Sequence, residues 1–236
     1  MRIGGIQKNS LIDYPGKVSC VIFLSGCNFD CPYCHNPSLV KGGAECPASL
    51  KGNGLYAFLQ GRRHFLDGVV ISGGEPTLQS DLYGFCERLK SMGMMVKLDT
   101  NGSNPLLLKK LIQKKLIDYV AMDIKAPVNP KKYERVSGVK SSYLLDNVRE
   151  SIQALLRSDI DYEFRTTVVP SILTKEDLKE MVRSLNGCKK YVLQKFQPEN
   201  VRDEGLRKER SQTDGEMDEL VKVIKKYVPN SKWRGK

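Results

Sequence analysis

The chain is 236 residues long and 40% hydrophobic, with 38 Lys and Arg against 27 Asp and Glu for a formal net charge of +11. That length can bury one sizeable core, so a single domain over 1–236 is expected. No apolar run approaches a membrane span and Met1–Ile6 is too polar for a secretion signal, which points to a cytoplasmic protein making no membrane contact. The basic residues are spread out, with modest runs at Lys109-Lys110, Lys114-Lys115 and Lys222 to Lys226. Without aromatic–basic interleaving these runs read as solvated faces, which argues against nucleic acid and for an acidic protein partner.

Apolar, β-branched runs alternate with amphipathic stretches. Val18 to Leu24 is a predicted strand that leads straight into Cys27-Asn28-Phe29-Asp30-Cys31-Pro32-Tyr33-Cys34-His35-Asn36. Gly68 to Ser72 is a second, ending at Gly73-Gly74-Glu75-Pro76, with helical spacing from Ser80 to Met92. Met95 to Leu98 is a third, ending at Asp99-Thr100-Asn101-Gly102, with a helix over Pro105 to Lys115. Tyr119 to Met122 is a fourth, ending at Asp123-Ile124-Lys125, with a helix over Tyr143 to Arg157. Tyr162 to Val169 and Tyr191 to Phe196 are a fifth and sixth, separated by a helix over Lys175 to Leu185. Alternation with short connections predicts an α/β fold with parallel strands joined by right-handed crossovers, and six such units make an open or partial (β/α)6 TIM-like barrel. In such folds the active site lies at the carboxyl ends of the strands, where every polar motif just named falls.

The cysteine frame carries the strongest chemistry. Three thiolates on one short loop can hold three irons of a cubane cluster and leave the fourth iron open for another ligand. A zinc site completed by His35 is the rival reading, although zinc ligands usually come as two pairs a loop apart, and here Cys34 and His35 are adjacent. Cys20 and Cys86 lie in apolar patterns and read as buried small hydrophobes; Cys46 lies in a glycine-rich loop and Cys188 stands apart from any second frame. A cytoplasmic setting disfavours disulfides among them.

Taken in order, Cys27, Cys31, Tyr33, Cys34 and His35, then Gly73-Gly74-Glu75-Pro76, Asp99-Thr100-Asn101-Gly102, Asp123-Ile124-Lys125 and Arg165, resemble radical S-adenosylmethionine (SAM) enzymes, specifically the activating enzymes of glycyl-radical proteins. The opening Gly4-Gly5-Ile6-Gln7-Lys8, Leu11-Ile12-Asp13-Tyr14-Pro15-Gly16 and Ser25-Gly26-Cys27-Asn28 are most similar to the activating proteins of anaerobic ribonucleotide reductase. The resemblance runs to about Gln197 and implies a radical SAM partial barrel. Its cofactors would be one 4Fe–4S cluster on Cys27, Cys31 and Cys34, since Ser38 to Asp67 holds only Cys46. SAM would chelate the open iron through its amine and carboxylate, and one electron would then release a 5′-deoxyadenosyl radical that takes a hydrogen from a glycine.

Residue roles follow from the same resemblance. Tyr33 would contact the adenine, and His35 would orient SAM or cap the loop. Gly73 and Gly74 would let the backbone approach the ligand while Glu75 accepts from its ammonium group. Lys125 would pair the methionine carboxylate, and Arg165 would reach the nucleoside or an incoming peptide. Asn101 comes with its motif as a cofactor contact. Asp99 and Asp123, two carboxylates at one site, would favour a monovalent cation between them. Each has a plainer reading beside it, a strand-to-helix turn for Gly-Gly-Glu-Pro and solvated cations for Lys125 and Arg165. Gln194 and Gln197 stand where relatives place a polar SAM contact, and His64 reads as a surface or packing residue. The implied partners are a glycyl-radical enzyme and a low-potential electron donor such as flavodoxin or ferredoxin. Activation of a pyruvate formate-lyase type enzyme, a radical SAM enzyme acting on a small molecule, and a non-enzymatic electron carrier or zinc module are the alternatives.

Overall fold

The structure is a computed structural model, and it describes residues 1–41 and 46–235. The glycines before Cys46, Gly42 and Gly43, lie outside the described residues. The fold is α/β: eight strands follow one another in chain order in a mostly parallel sheet. By internal contacts the chain divides into two compact units, Met1–Asn28, Ser38–Thr100 and Leu106–Val120 against Phe29–Pro37, Asn101–Pro105 and Ala121–Lys236.

In the first unit β1 (Ile3–Ser10) pairs antiparallel with β2 (Ser19–Leu24), and β2, β3 (Gly68–Gly73) and β4 (Met95–Thr100) pair in parallel. Val21, Ile22, Leu24, Val69, Val70, Ile71, Val96 and Leu98 are all buried, which is why these short strands read as near-continuous apolar runs. Helices α1 (Pro37–Val40), α2 (Asn53–Gly61), α3 (Leu82–Ser91) and α4 (Pro105–Gln113) connect the strands, and α3 buries Leu82, Phe85, Cys86 and Leu89 at helical spacing. Each such aliphatic side chain contributes about 1.5–3 kcal/mol by leaving water. Strand β5 (Tyr119–Asp123) begins in this unit and ends in the second.

In the second unit β6 (Asp161–Val168), β7 (Tyr191–Lys195) and β8 (Ser231–Arg234) pair in parallel. Its helices carry clear start signals. Asn129 caps α5 (Pro130–Ser137), with proline at the first helical position, and Ser141 caps α6 (Ser142–Leu156). Capping boxes open α7 (Lys175–Ser184) at Thr174 and Asp177, and α8 (Asp214–Lys225) at Thr213 and Glu216. The predicted six-strand alternation is thus present as β2 to β7, and the sheet is wider than expected by an antiparallel strand at one edge and β8 at the other. Cys20 and Cys86 are fully buried as expected, Cys46 and Cys188 are buried too, and the cysteines carry thiols rather than disulfides.

Candidate active site

The expected residues fall into two groups, one within each unit, and each group can be built from its residues upward. In the first, the chain leaves β2 at Leu24 and reaches Cys27 through Ser25 and Gly26. The Gly-Gly-Glu-Pro turn lies against that exit: Gly74 N–H donates to Leu24 O and Glu75 N–H to Gly26 O, both at 2.8 Å. A Cβ on Gly74 would stand 2.0 Å from Gly26 O, and one on Gly73, whose φ is 114°, would stand 2.3 Å from Leu24 N. The glycines are therefore demanded first by the protein's own backbone, a nearer reason than the close approach of a ligand expected from sequence.

Glu75 is fully buried. Its Oε1 accepts from Thr77 N–H at 3.0 Å, Thr77 Oγ1 at 2.6 Å and Thr100 Oγ1 at 2.7 Å. The carboxylate thus ties the turn after β3 to the end of β4, an engagement the sequence reading of Glu75 as an ammonium acceptor did not include. At the same strand end Asp99 Oδ2 accepts from Ser72 Oγ at 3.1 Å, and its Oδ1 is ion-paired with the ammonium of Lys97.

The group in the second unit holds Cys31, Tyr33, Cys34 and His35. Cys34 N–H donates to Cys31 O at 3.1 Å, so the two cysteines share one turn. That turn is clamped from two distant segments. Asp30 N–H donates to Ser137 O at 2.7 Å, and the Cys31 thiol lies 4.0 Å from the same carbonyl. Gly138 ends α5 in the left-handed conformation, φ 71°, and a Cβ there would meet Asp30 O at 2.5 Å. From the other side Arg202 donates to Asp30 O at 2.9 Å and pairs with its carboxylate at 2.5 Å, while Asp203 N–H donates to Pro32 O at 2.9 Å.

Charge is concentrated beside this loop. Arg165 Nε donates to Asp123 Oδ1 at 2.6 Å and Lys125 Nζ to Asp123 Oδ2 at 2.9 Å. Burial would raise the Asp123 carboxyl, but the adjacent Arg165 and Lys125 hold it well below the usual carboxylate range. Burial would lower the Lys125 ammonium, and Asp123 overrides that to keep it well above its ordinary value. Burial pushes the Cys31 thiol up to about 11 despite the Lys125 charge, and raises the Tyr33 hydroxyl well above its ordinary range.

These observations bear on each expected group. The Tyr33 hydroxyl is buried with no hydrogen-bond partner among the described residues, as befits a site that takes up a polar ligand. Cys31 carries a thiol beside the Lys125 ammonium, whose charge works against the burial that disfavours its thiolate. His35 is turned away from the zinc alternative: its Nε2–H donates to Gln197 O at 3.0 Å and its ring stacks on Phe196, 6.2 Å between centroids. Among the described residues no three His, Cys, Asp or Glu side chains gather as one bound ion would require. The charge argument for a monovalent cation loses its basis, because Asp99 has Lys97 and Asp123 has Lys125 and Arg165 as counter-charges. Asn101 Oδ1 accepts from Ser103 N–H at 2.9 Å and shapes the turn after β4. Gln194 lies on β7, and His64 is exposed.

Sequence reasoning missed Lys97, Thr77, Thr100, Gly138 and Arg202. Lys97 had a signal, since it precedes Asp99 by two residues and so shares its face of a strand. Arg202 had none, because its partner Asp30 is 172 residues away.

Comparison with known proteins agrees with this picture. The profile of the Radical SAM superfamily matches residues 21–185. A Methanocaldococcus jannaschii protein named as a glycyl-radical enzyme activating enzyme is 36% identical across 97% of this chain and 93% of its own. A pyruvate formate-lyase-activating enzyme of Listeria monocytogenes is 25% identical across 99% of this chain and 98% of its own. Among solved structures, SuiB of Streptococcus suis superposes with a TM-score of 0.68 at 15% identity, over 91% of this chain and 48% of SuiB, a likeness of fold alone. Members of the superfamily use a 4Fe–4S cluster and SAM, and the activating enzymes among them act on glycyl-radical enzymes. With the cysteine frame, the parallel α/β sheet and these matches together, the chain belongs to the radical SAM superfamily, within its glycyl-radical enzyme activating enzymes.

Proposed function

We propose that this protein installs the glycyl radical of an anaerobic ribonucleoside-triphosphate reductase, acting over 1–236 as one radical SAM domain. The observation that carries the site assignment is the cation-rich environment of Cys31, Tyr33 and Lys125 around a buried, unsatisfied hydroxyl. Cys27, Cys31 and Cys34 would hold the cluster. With SAM bound, the pair supplies reductive cleavage of a carbon–sulfur bond and a 5′-deoxyadenosyl radical.

The chain's own residues bind and orient. Lys125 has three donors, one of them on Asp123, and its charge suits the methionine carboxylate. Asp123 keeps Lys125 charged and holds both Lys125 and Arg165 in place. Tyr33 offers its hydroxyl to the bound cofactor, and His35, fixed on Gln197, sets the exit of the loop. Gly73, Gly74 and Glu75 fix the turn against the approach to Cys27, and Asp99 and Asn101 border the same strand ends.

A protein substrate is supported by Leu11 and Ile12, 75% and 82% exposed in the segment that resembles the reductase activators. The net charge of +11 favours an acidic partner and an acidic low-potential donor such as flavodoxin or ferredoxin. A pyruvate formate-lyase type partner is the second reading, favoured by the Listeria relative. The test is anaerobic: with SAM and a low-potential reductant, a doublet should appear in the electron paramagnetic resonance spectrum of the reductase and vanish when its acceptor glycine becomes alanine. Transfer to a pyruvate formate-lyase alone would favour the second reading. Cleavage of SAM with deuterium exchange into a small metabolite and no protein radical would sink both.

A further inference from the structure

Lys97 and Asp99 are two residues apart on β4 and therefore on one face of that strand. The Lys97 side chain is 1% exposed, and its ammonium sits on Asp99 Oδ1. Ser72 Oγ donates to the other oxygen at 3.1 Å, and the Tyr119 ring centroid is 6.0 Å from the ammonium. A carboxylate with this little water needs a counter-charge, and here the strand supplies one from its own sequence.

We propose that Lys97 is a built-in replacement for an alkali cation at Asp99, so that the carboxyl end of β4 operates without bound sodium or potassium. A second monocation on the same carboxylate would be repelled by the ammonium already there. Lysine suits the exchange because its ammonium is a compact, strongly hydrated point charge, closer to an alkali ion than a flat guanidinium is. Being covalently tethered, it is present at any salt composition, whereas a dissolved ion binds only as its concentration allows.

The test is thermal melting of the whole protein, reconstituted without oxygen, in potassium, sodium and choline chlorides of equal ionic strength. SAM affinity is measured by calorimetry in the same salts; this arm rests on the function proposed above, and the melting arm does not. Wild type should melt at one temperature and bind SAM within twofold in all three. Lys97→Met keeps the stem and removes the charge. It should melt lower in choline than in potassium or sodium and regain at least fivefold in SAM affinity when either ion is added. If that variant does not fold in choline, Lys97→Met/Asp99→Asn, with both charges gone, should fold and ignore the salt cation. The proposal fails if wild type loses melting temperature or tenfold in SAM affinity without alkali ions. It fails equally if Lys97→Met is as indifferent to the cation as wild type, or if the double variant is alkali-dependent. A protein that binds no SAM in any salt overturns the functional reading, while the melting comparison still decides the role of Lys97.

Discussion

Arg165 and Asp123 meet on neighbouring strands, with Arg165 Nε 2.6 Å from Asp123 Oδ1 and the Arg165 carbonyl accepting from Ile124 N–H at 2.8 Å. The ion pair is thus fixed by the same ladder that sets the register of the strands. Because Asp123 binds its proton less readily when folded, the unfolded chain takes up protons first as pH falls. The stability contributed by the pair is therefore full above ~4, the unfolded value, and is lost as pH falls toward the depressed folded value. Asp123→Asn should cost roughly 1.5–3 kcal/mol at neutral pH, a gap from wild type that is flat between pH 8 and 5 and narrows below 4. Urea unfolding across that range checks this, and a gap that widens in acid contradicts it.

Cluster assembly should depend on each loop cysteine and on no other. Reconstituted wild type should hold about four irons per chain, and Ala at Cys27, Cys31 or Cys34 should abolish the bound iron. Cys86→Ala, in the apolar face of α3, should keep its iron and lose only about 1 kcal/mol to the small void. Iron analysis with absorbance near the cluster bands decides; normal iron in a Cys31→Ala protein would refute the assignment.

Glu75 and Thr100 should be energetically coupled. Their hydrogen bond is buried and made to a carboxylate, so Thr100→Val should cost about 1.5–3 kcal/mol. In a double-mutant cycle with Glu75→Ala the two losses should fall short of additivity by ~0.5–3 kcal/mol. Additive losses would mean that the tie between the two turns is not made in solution.

Gly138→Ala should loosen the cysteine turn while leaving the fold in place. An alanine in the left-handed conformation costs about 1–2 kcal/mol, and its Cβ would meet Asp30 O at 2.5 Å. Iron should be lost to a chelator several-fold faster than from wild type, and Arg202→Ala should act in the same direction through Asp30. Unchanged iron retention in both variants would show that the clamp does not hold the cluster loop.

The strands β2 to β7 were legible because each is a short apolar run followed by a polar motif and a helix-period segment. Strand β1 was not: its exposure alternates poorly, with Gln7, Lys8 and Asn9 exposed in mid-strand, and what makes it a strand is pairing to β2. Strand β8 is only four residues long, and two of its side chains are Lys232 and Arg234. Helix α5 had its Asn129-Pro130 start and Gly138 stop in plain view but buries only Tyr133, Val136 and Ser137 over eight residues, too few to set a period. At the site, residue types were legible and their partners were not. Glu75 and Asp99 announce charge, but only the folded chain shows that Thr77, Thr100 and Lys97 already answer it.

The clamp on the cysteine loop also orders events in time. Asp30 and Arg202 are 172 residues apart, so at about 5–20 residues per second of synthesis the loop emerges roughly ten to thirty seconds before the arginine that pins it. Until that arginine emerges, only the Ser137 and Gly138 side of the clamp can be in place. A chain truncated ahead of Val201 would be translated without ever acquiring the arginine side of the clamp.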